Sequence, residues 1–182
     1  MCVSLAQDCY TVTNGTGAAR DGRRIQNRDA FDESSCGIGQ IGTEFTSAYA
    51  ASKFAVEGWM EALHHDIKPY GIRTTIVEPG YFRTELLVDA STTWPEPTID
   101  DYAERTTATV EAWKSINGQQ PGDPAKLAHA LLTFAAQDQP PLRFVAGAAA
   151  IEGVSAKARE LLAQVEASRE LGGNLGHDDT NP

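Results

Sequence analysis

The chain has 182 residues, 41% of them hydrophobic and 22% charged, with a net charge of −10. That length suits one buried core rather than two, and without eighteen consecutive apolar residues it offers no membrane-spanning helix. So acidic a balance argues against nucleic acid or anionic membrane as partners, because phosphate binding needs a basic face.

The opening, Met1 to Tyr10, lacks the basic and apolar regions of a secretory leader. Asn14-Gly15-Thr16, a formal glycosylation acceptor, therefore carries no weight. Cys2, Cys9 and Cys36 make no C-x-x-C, as expected of reduced thiols in a cytoplasmic protein. Glu61 and His64 have the spacing of a helical ligand pair, but with no second copy no metal site is expected.

Residues 1–35 are rich in Gly, Arg, Asn and Asp and show no apolar period, so they read as an irregular segment. Order begins near Thr43. Phe45, Tyr49, Ala50, Phe54, Ala55, Trp59, Met60, Leu63 and Ile67 fall three to five apart, which predicts one helix with a wide apolar face. Thr46 or Ser47 is its expected cap, and Pro69 and Gly71 end it. Ile72 to Glu78 is short and mostly β-branched, the pattern of a buried strand, closed by Pro79-Gly80. Thr98 with Asp101 opens a helix to about Ile116. Asp123-Pro124, a cap followed by proline, opens another to about Ala136. A second short strand lies in "LRFVAG", and a last helix is expected from Gly153 to Leu171, with 172–182 a disordered tail. Helices alternating with buried strands predict an α/β layered domain.

Two motifs compete for the chemistry. Gly37, Gly39 and Gly42 have G-x-G-x-x-G spacing. A dinucleotide fingerprint needs a strand before the loop, a helix opening at its third glycine and an acidic strand end some twenty residues on. No hydrophobic strand precedes these glycines, and the predicted helix runs past the place of that strand end, so the fingerprint fails on context. The other motif is Tyr49-x-x-x-Lys53. At i and i+4 the two side chains share a helix face. An ammonium near a phenol favours the phenolate and equips it to exchange a proton with a carbinol oxygen. On the pair alone, a core tyrosine beside an ordinary solvated lysine is the better reading.

The wider string decides it. "SAYAASKFAVEGWMEAL", followed by a strand and "EPGYFRT", resembles the short-chain dehydrogenase/reductase family, and "QQPGDPAKLAHALL" and "LRFVAGAAAIEGV" extend the likeness to about residue 171. The resemblance implies the C-terminal, catalytic half (36–171) of a Rossmann-like domain, a doubly wound parallel sheet. It implies an oxidoreductase interconverting an alcohol and a carbonyl with NAD or NADP. Tyr49 would be the general acid/base. Lys53 would bind the nicotinamide ribose and lower the tyrosine pKa. Pro79 and Gly80 would line the nicotinamide, Thr84 would bond its carboxamide, and residues 85 to about 116 would form a substrate lid. The helix 46–67 is of the kind family members use to pair, so a homodimer is expected there, with Ala51, Ser52, Ala55 and Ala62 facing out.

The family's serine lies thirteen residues before its tyrosine; here that position is Cys36, and Ser35, one residue earlier, is the expected hydroxyl. A thiol in its place would be the weaker donor. The 35 residues before Cys36 are too few for the nucleotide-binding half, which needs on the order of 80 to 100. That segment reads as out-of-frame or alternative-start sequence joined near Cys36. The adenosine and pyrophosphate site is then expected to be absent and cofactor binding weak. A truncated, inactive relative acting through its helix is the alternative reading.

Overall fold

The computed structural model describes Ser4–Leu5, Asp29–Asp32 and residues 40–177. Its centre is a parallel sheet of three strands in the order β2 (Asp29–Asp32), β3 (Arg73–Pro79), β5 (Arg143–Ala146). Asp32 stands opposite Ile76 on one side of β3, and Arg143 opposite Ile76 on the other. Five consecutive residues of β3, Thr74 to Glu78, are buried. A central parallel strand is covered on both faces, which is why this run is β-branched rather than alternating. Two strands fall within the segment 1–35 that was read as irregular. Asp29–Asp32 joins the sheet, and β1 (Ser4–Leu5) pairs antiparallel with β4 (Thr92–Thr93). "DAFD" has no apolar signature; its strand is defined by the ladder to β3.

Helix α1 (Ser47–Ile67) links β2 to β3. Thr46 precedes it without capping it through its side chain, because the Thr46 hydroxyl turns back and donates to the Thr43 carbonyl at 2.8 Å. A 3-10 turn at Lys68–Tyr70 and Gly71, at φ +73°, end the helix as expected. The apolar stripe predicted for α1 is divided between two faces. Tyr49, Ala50 and Met60 are buried, but Lys53 and Glu57 share their face, while Phe54 and Trp59 are exposed. The periodicity placed two aromatics, Phe54 and Trp59, inside, and the structure exposes both.

Helix α2 (Asp100–Ser115) starts after Ile99 without the expected Thr98 box, and Asp100 and Asp101 complement its N-terminal dipole. Helix α3 (Pro124–Ala135) begins as read: Asp123 Oδ1 accepts the Ala125 N–H at 2.9 Å. Its Phe134 packs on Phe144 of β5, ring centroids 4.7 Å apart. Helix α4 (Ala148–Ala167) starts five residues before the expected Gly153. Gly147, at φ +102°, turns the chain directly out of β5, so no connecting loop is needed. A short α5 (Arg169–Gly173) carries helix into the stretch read as tail.

Replacing Asp123 by alanine removes the one side-chain cap of α3. Urea unfolding of Asp123→Ala is expected to show a loss of about 1 kcal/mol; an unchanged midpoint would contradict the cap.

Candidate active site

α1 runs antiparallel to β3. His64 Nδ1, near the end of the helix, lies 2.8 Å from Thr74 Oγ1, near the start of the strand. From that fixed point, Lys53 is ~16 Å back along the helix at 1.5 Å per residue, and Tyr49 ~22 Å. Pro79 is ~16 Å along the strand from Thr74 at 3.3 Å per residue. By these ideal rises Lys53 is about as far from the His64–Thr74 contact along the helix as Pro79 is along the strand. Trp113 of α2 packs against the Tyr49–Ala50 pair and lies with its ring 6.1 Å from that of Tyr81.

Tyr49 and Lys53 are both buried, and Lys53 Nζ sits 5.5 Å from the Tyr49 ring centroid. At that range the ammonium is attracted to the face of the ring. Gly80 donates its N–H to the Ala146 carbonyl at 2.9 Å, and a Cβ there would come within 3.0 Å of the Ala150 Cβ. Glycine thus lets β3 end tightly against β5 and α4. Thr84 caps a 3-10 turn, its hydroxyl oxygen accepting the Leu86 N–H at 3.4 Å, and it is exposed. Tyr49 and Lys53 share the buried face of α1, Pro79 ends β3 with Gly80 next to it, and Thr84 lies four residues further along the chain. Ser35 and Cys36 lie outside the described residues. Gly42 is described, and a Cβ on it would meet nothing within 4 Å. The third glycine of a fingerprint permits close helix packing; Gly42 has no such need, and α1 opens five residues later.

Beside Tyr81 and Trp113 opens an apolar cavity of about 410 Å³, lined also by Ala108, Thr109, Ala112 and Ile116. The loop turn that presents Tyr81 depends on Gly122, which exchanges backbone bonds with Tyr81 and Arg83 and could not carry a Cβ without striking Tyr81 and Phe82. Sequence spacing gave no sign of this wall, because α2 carries no strong apolar period.

A buried ionic cluster was also missed. Arg143 Nη2 lies 2.9 Å from Glu57 and 2.8 Å from Glu61, and its Nε lies 3.0 Å from Glu78. Gln40 Nε2 donates to Glu78 Oε1 at 2.7 Å. Burial, then the neighbouring charge of Glu57, pushes the Glu78 carboxyl from 4.5 up to about 7, against the pull of Arg143 and Gln40.

The buried ammonium of Lys53 beside the Tyr49 phenol is a pair that fits the nicotinamide ribose half of a dinucleotide. Among the described residues there is no group of three or more His, Cys, Asp or Glu placed to hold a metal ion, and no helix long and apolar enough to cross a membrane.

Comparison with known proteins gives the same direction. The family model for short chain dehydrogenase matches residues 34–94. Oxidoreductase BOA17 of Botryotinia fuckeliana is 33% identical over 150 residues, 82% of this chain and 53% of that protein. The 3-ketodihydrosphingosine reductase of Bacteroides thetaiotaomicron is 31% identical over 127 residues, 69% of this chain and 46% of that protein. A crystal structure of a short-chain dehydrogenase from Streptomyces avermitilis superposes with a TM-score of 0.63 at 26% identity, over 83% of this chain and 53% of that one. The chain spans about half the length of the curated relatives it matches.

The Glu78 shift makes stability depend on pH. Between 4.5 and about 7 the folded chain holds a proton that the unfolded chain releases, so this group's contribution falls as pH rises through that window and is level above it. Thermal melts of Glu78→Gln are expected to lose that downward slope relative to the parent; parallel curves from pH 4.5 to 8 would contradict it.

Proposed function

Since this chain belongs to the short-chain dehydrogenase/reductase family, we propose that it interconverts an alcohol and a carbonyl with NAD or NADP, through proton transfer at Tyr49. One observation carries this reading: Tyr49 and Lys53 are buried together on one face of α1, ammonium over ring. The nicotinamide supplies or accepts the hydride at the carbonyl carbon. In the reducing direction Tyr49 gives its phenolic proton to the carbonyl oxygen, so one C–H and one O–H bond form. The phenolate left behind would be stabilised by Lys53, whose ammonium would also hold the ribose hydroxyls of a bound cofactor. Pro79 and Gly80 offer backbone to the nicotinamide, Thr84 a hydroxyl to its carboxamide, and Ser35 a donor that orients the substrate oxygen.

The apolar cavity beside Tyr81 and Trp113 fits a carbonyl substrate with a hydrophobic or aromatic body. A relative named 3-ketodihydrosphingosine reductase is in keeping with a keto substrate. The acidic chain, with cysteines in no C-x-x-C, suits the reducing cytoplasm.

A second reading, pairing through α1 without turnover, draws on a different observation. The outer face of α1 exposes Phe54 (47%) and Trp59 (58%) among Ala51, Ser52, Ala55 and Ala62. Large apolar groups beside small ones suit close approach of a second helix.

For the first reading, Tyr49→Phe should lower kcat by roughly 10²- to 10⁴-fold with apolar ketones, with far-ultraviolet dichroism unchanged. Retained kcat would overturn it. For the second, sedimentation should show a dimer that Trp59→Glu converts to monomer; a monomeric parent would end that reading.

A further inference from the structure

The Arg143 cluster joins four pieces of the chain that must keep register for the Tyr49–Lys53 site to exist. Glu57 and Glu61 lie one and two turns beyond Lys53 on α1. Glu78 is the residue before Pro79. Gln40 belongs to the loop that leads into α1, and Arg143 opens β5. We propose that Arg143, with Glu57, Glu78 and Gln40, is a positioning network that sets the axial level of Lys53 against the end of β3. This rests on the Tyr49–Lys53 reading above.

Stability alone does not account for the cluster. Three carboxylates meet one guanidinium. Glu57 and Glu78 are 5% and 1% exposed, and Glu57 Oε1 and Arg143 Nε are buried without a hydrogen-bond partner. Arg143 Nε is near Glu78 in distance, but its N–H is not aimed well enough to bond. Removing charges from water is costly, and a well-packed apolar set in their place is often as stable or more so. What an apolar set lacks is direction. A guanidinium fork holds carboxylates at fixed angles and distances, so a slide of α1 along β3 breaks bonds to both Glu57 and Glu61 at once. The raised Glu78 carboxyl fits this arrangement, since one proton relieves the excess of negative charge. Hydrophobic contacts across the same interface, chiefly Met60 and Ala50, would tolerate small slides. Lys53 would then shift along β3, and its charge would act less on the Tyr49 phenol.

The test uses the full chain and needs no cofactor for its main readout. Tyr49 ionisation is followed by difference absorbance near 295 nm, with Tyr49→Phe subtracted, in the parent, in Lys53→Met and in the triple variant Glu57→Gln, Glu78→Gln, Arg143→Met. The triple variant removes the cluster's buried charges together and leaves none of them unpaired, so it is expected to melt cooperatively. Its Tyr49 midpoint is expected to rise by about one unit or more, in the direction of Lys53→Met, and turnover by the chain to fall at least tenfold in kcat with substrate KM little changed. A folded triple variant with the parent's midpoint overturns the proposal. If Lys53→Met moves the midpoint and the triple variant does not, only this inference falls; if neither moves it, the Tyr49–Lys53 reading falls as well. Should the triple variant fail to fold, Arg143→Lys is read in its place. It keeps the charge and loses the fork, so a raised midpoint supports positioning, while a parental midpoint or a second failure to fold overturns it.

Discussion

Helix α1 lies against the central strand with a lysine and a glutamate on its buried face, and most of the molecule is arranged around that burial. Lys53 and Glu57 occupy positions where an ordinary amphipathic helix would place leucine or valine. Each charge needs compensation in a low-dielectric setting. Glu57 finds it in Arg143, which reaches in from the start of β5. Lys53 sits over the Tyr49 ring. β5 must therefore lie next to β3, and Gly80 lets β3 end closely against β5 and α4. The parallel order β2-β3-β5 supplies the first.

The same constraint explains what could be read from sequence. Elements set by local chemistry were legible: the Asp123-Pro124 start of α3, the β-branched run of β3, the Gly71 stop after α1. Elements set by distant partners were not. Asp29–Asp32 is a strand only because β3 offers it a ladder, and nothing in "DAFD" announces that. α4 begins early because Gly147 turns at once, a backbone property that apolar periodicity does not reveal.

In the site, the Tyr49–Lys53 pair was legible because a four-residue spacing on a helix fixes two side chains on one face. Its depth was not. Periodicity treated Phe54 and Trp59 as core, and the structure exposes both while burying Lys53 and Glu57. Charged residues on an apolar face look like errors in a pattern until their partners are known, and the partner of Glu57, Arg143, is 86 positions away in the chain. The cavity wall of Tyr81 and Trp113 was hidden for a similar reason, since it depends on Gly122 bridging back to Phe82 across a long connection.

Hydride transfer that depends on Tyr49 is the central claim, and isotope transfer tests it most directly. The intact chain would be incubated with NADH and NADPH deuterated at the nicotinamide C4 and a panel of apolar ketones, and the products examined by mass spectrometry. The account predicts deuterium at the carbinol carbon with the parent chain and its loss with Tyr49→Phe. Deuterated product formed equally by both, or by neither, would contradict it.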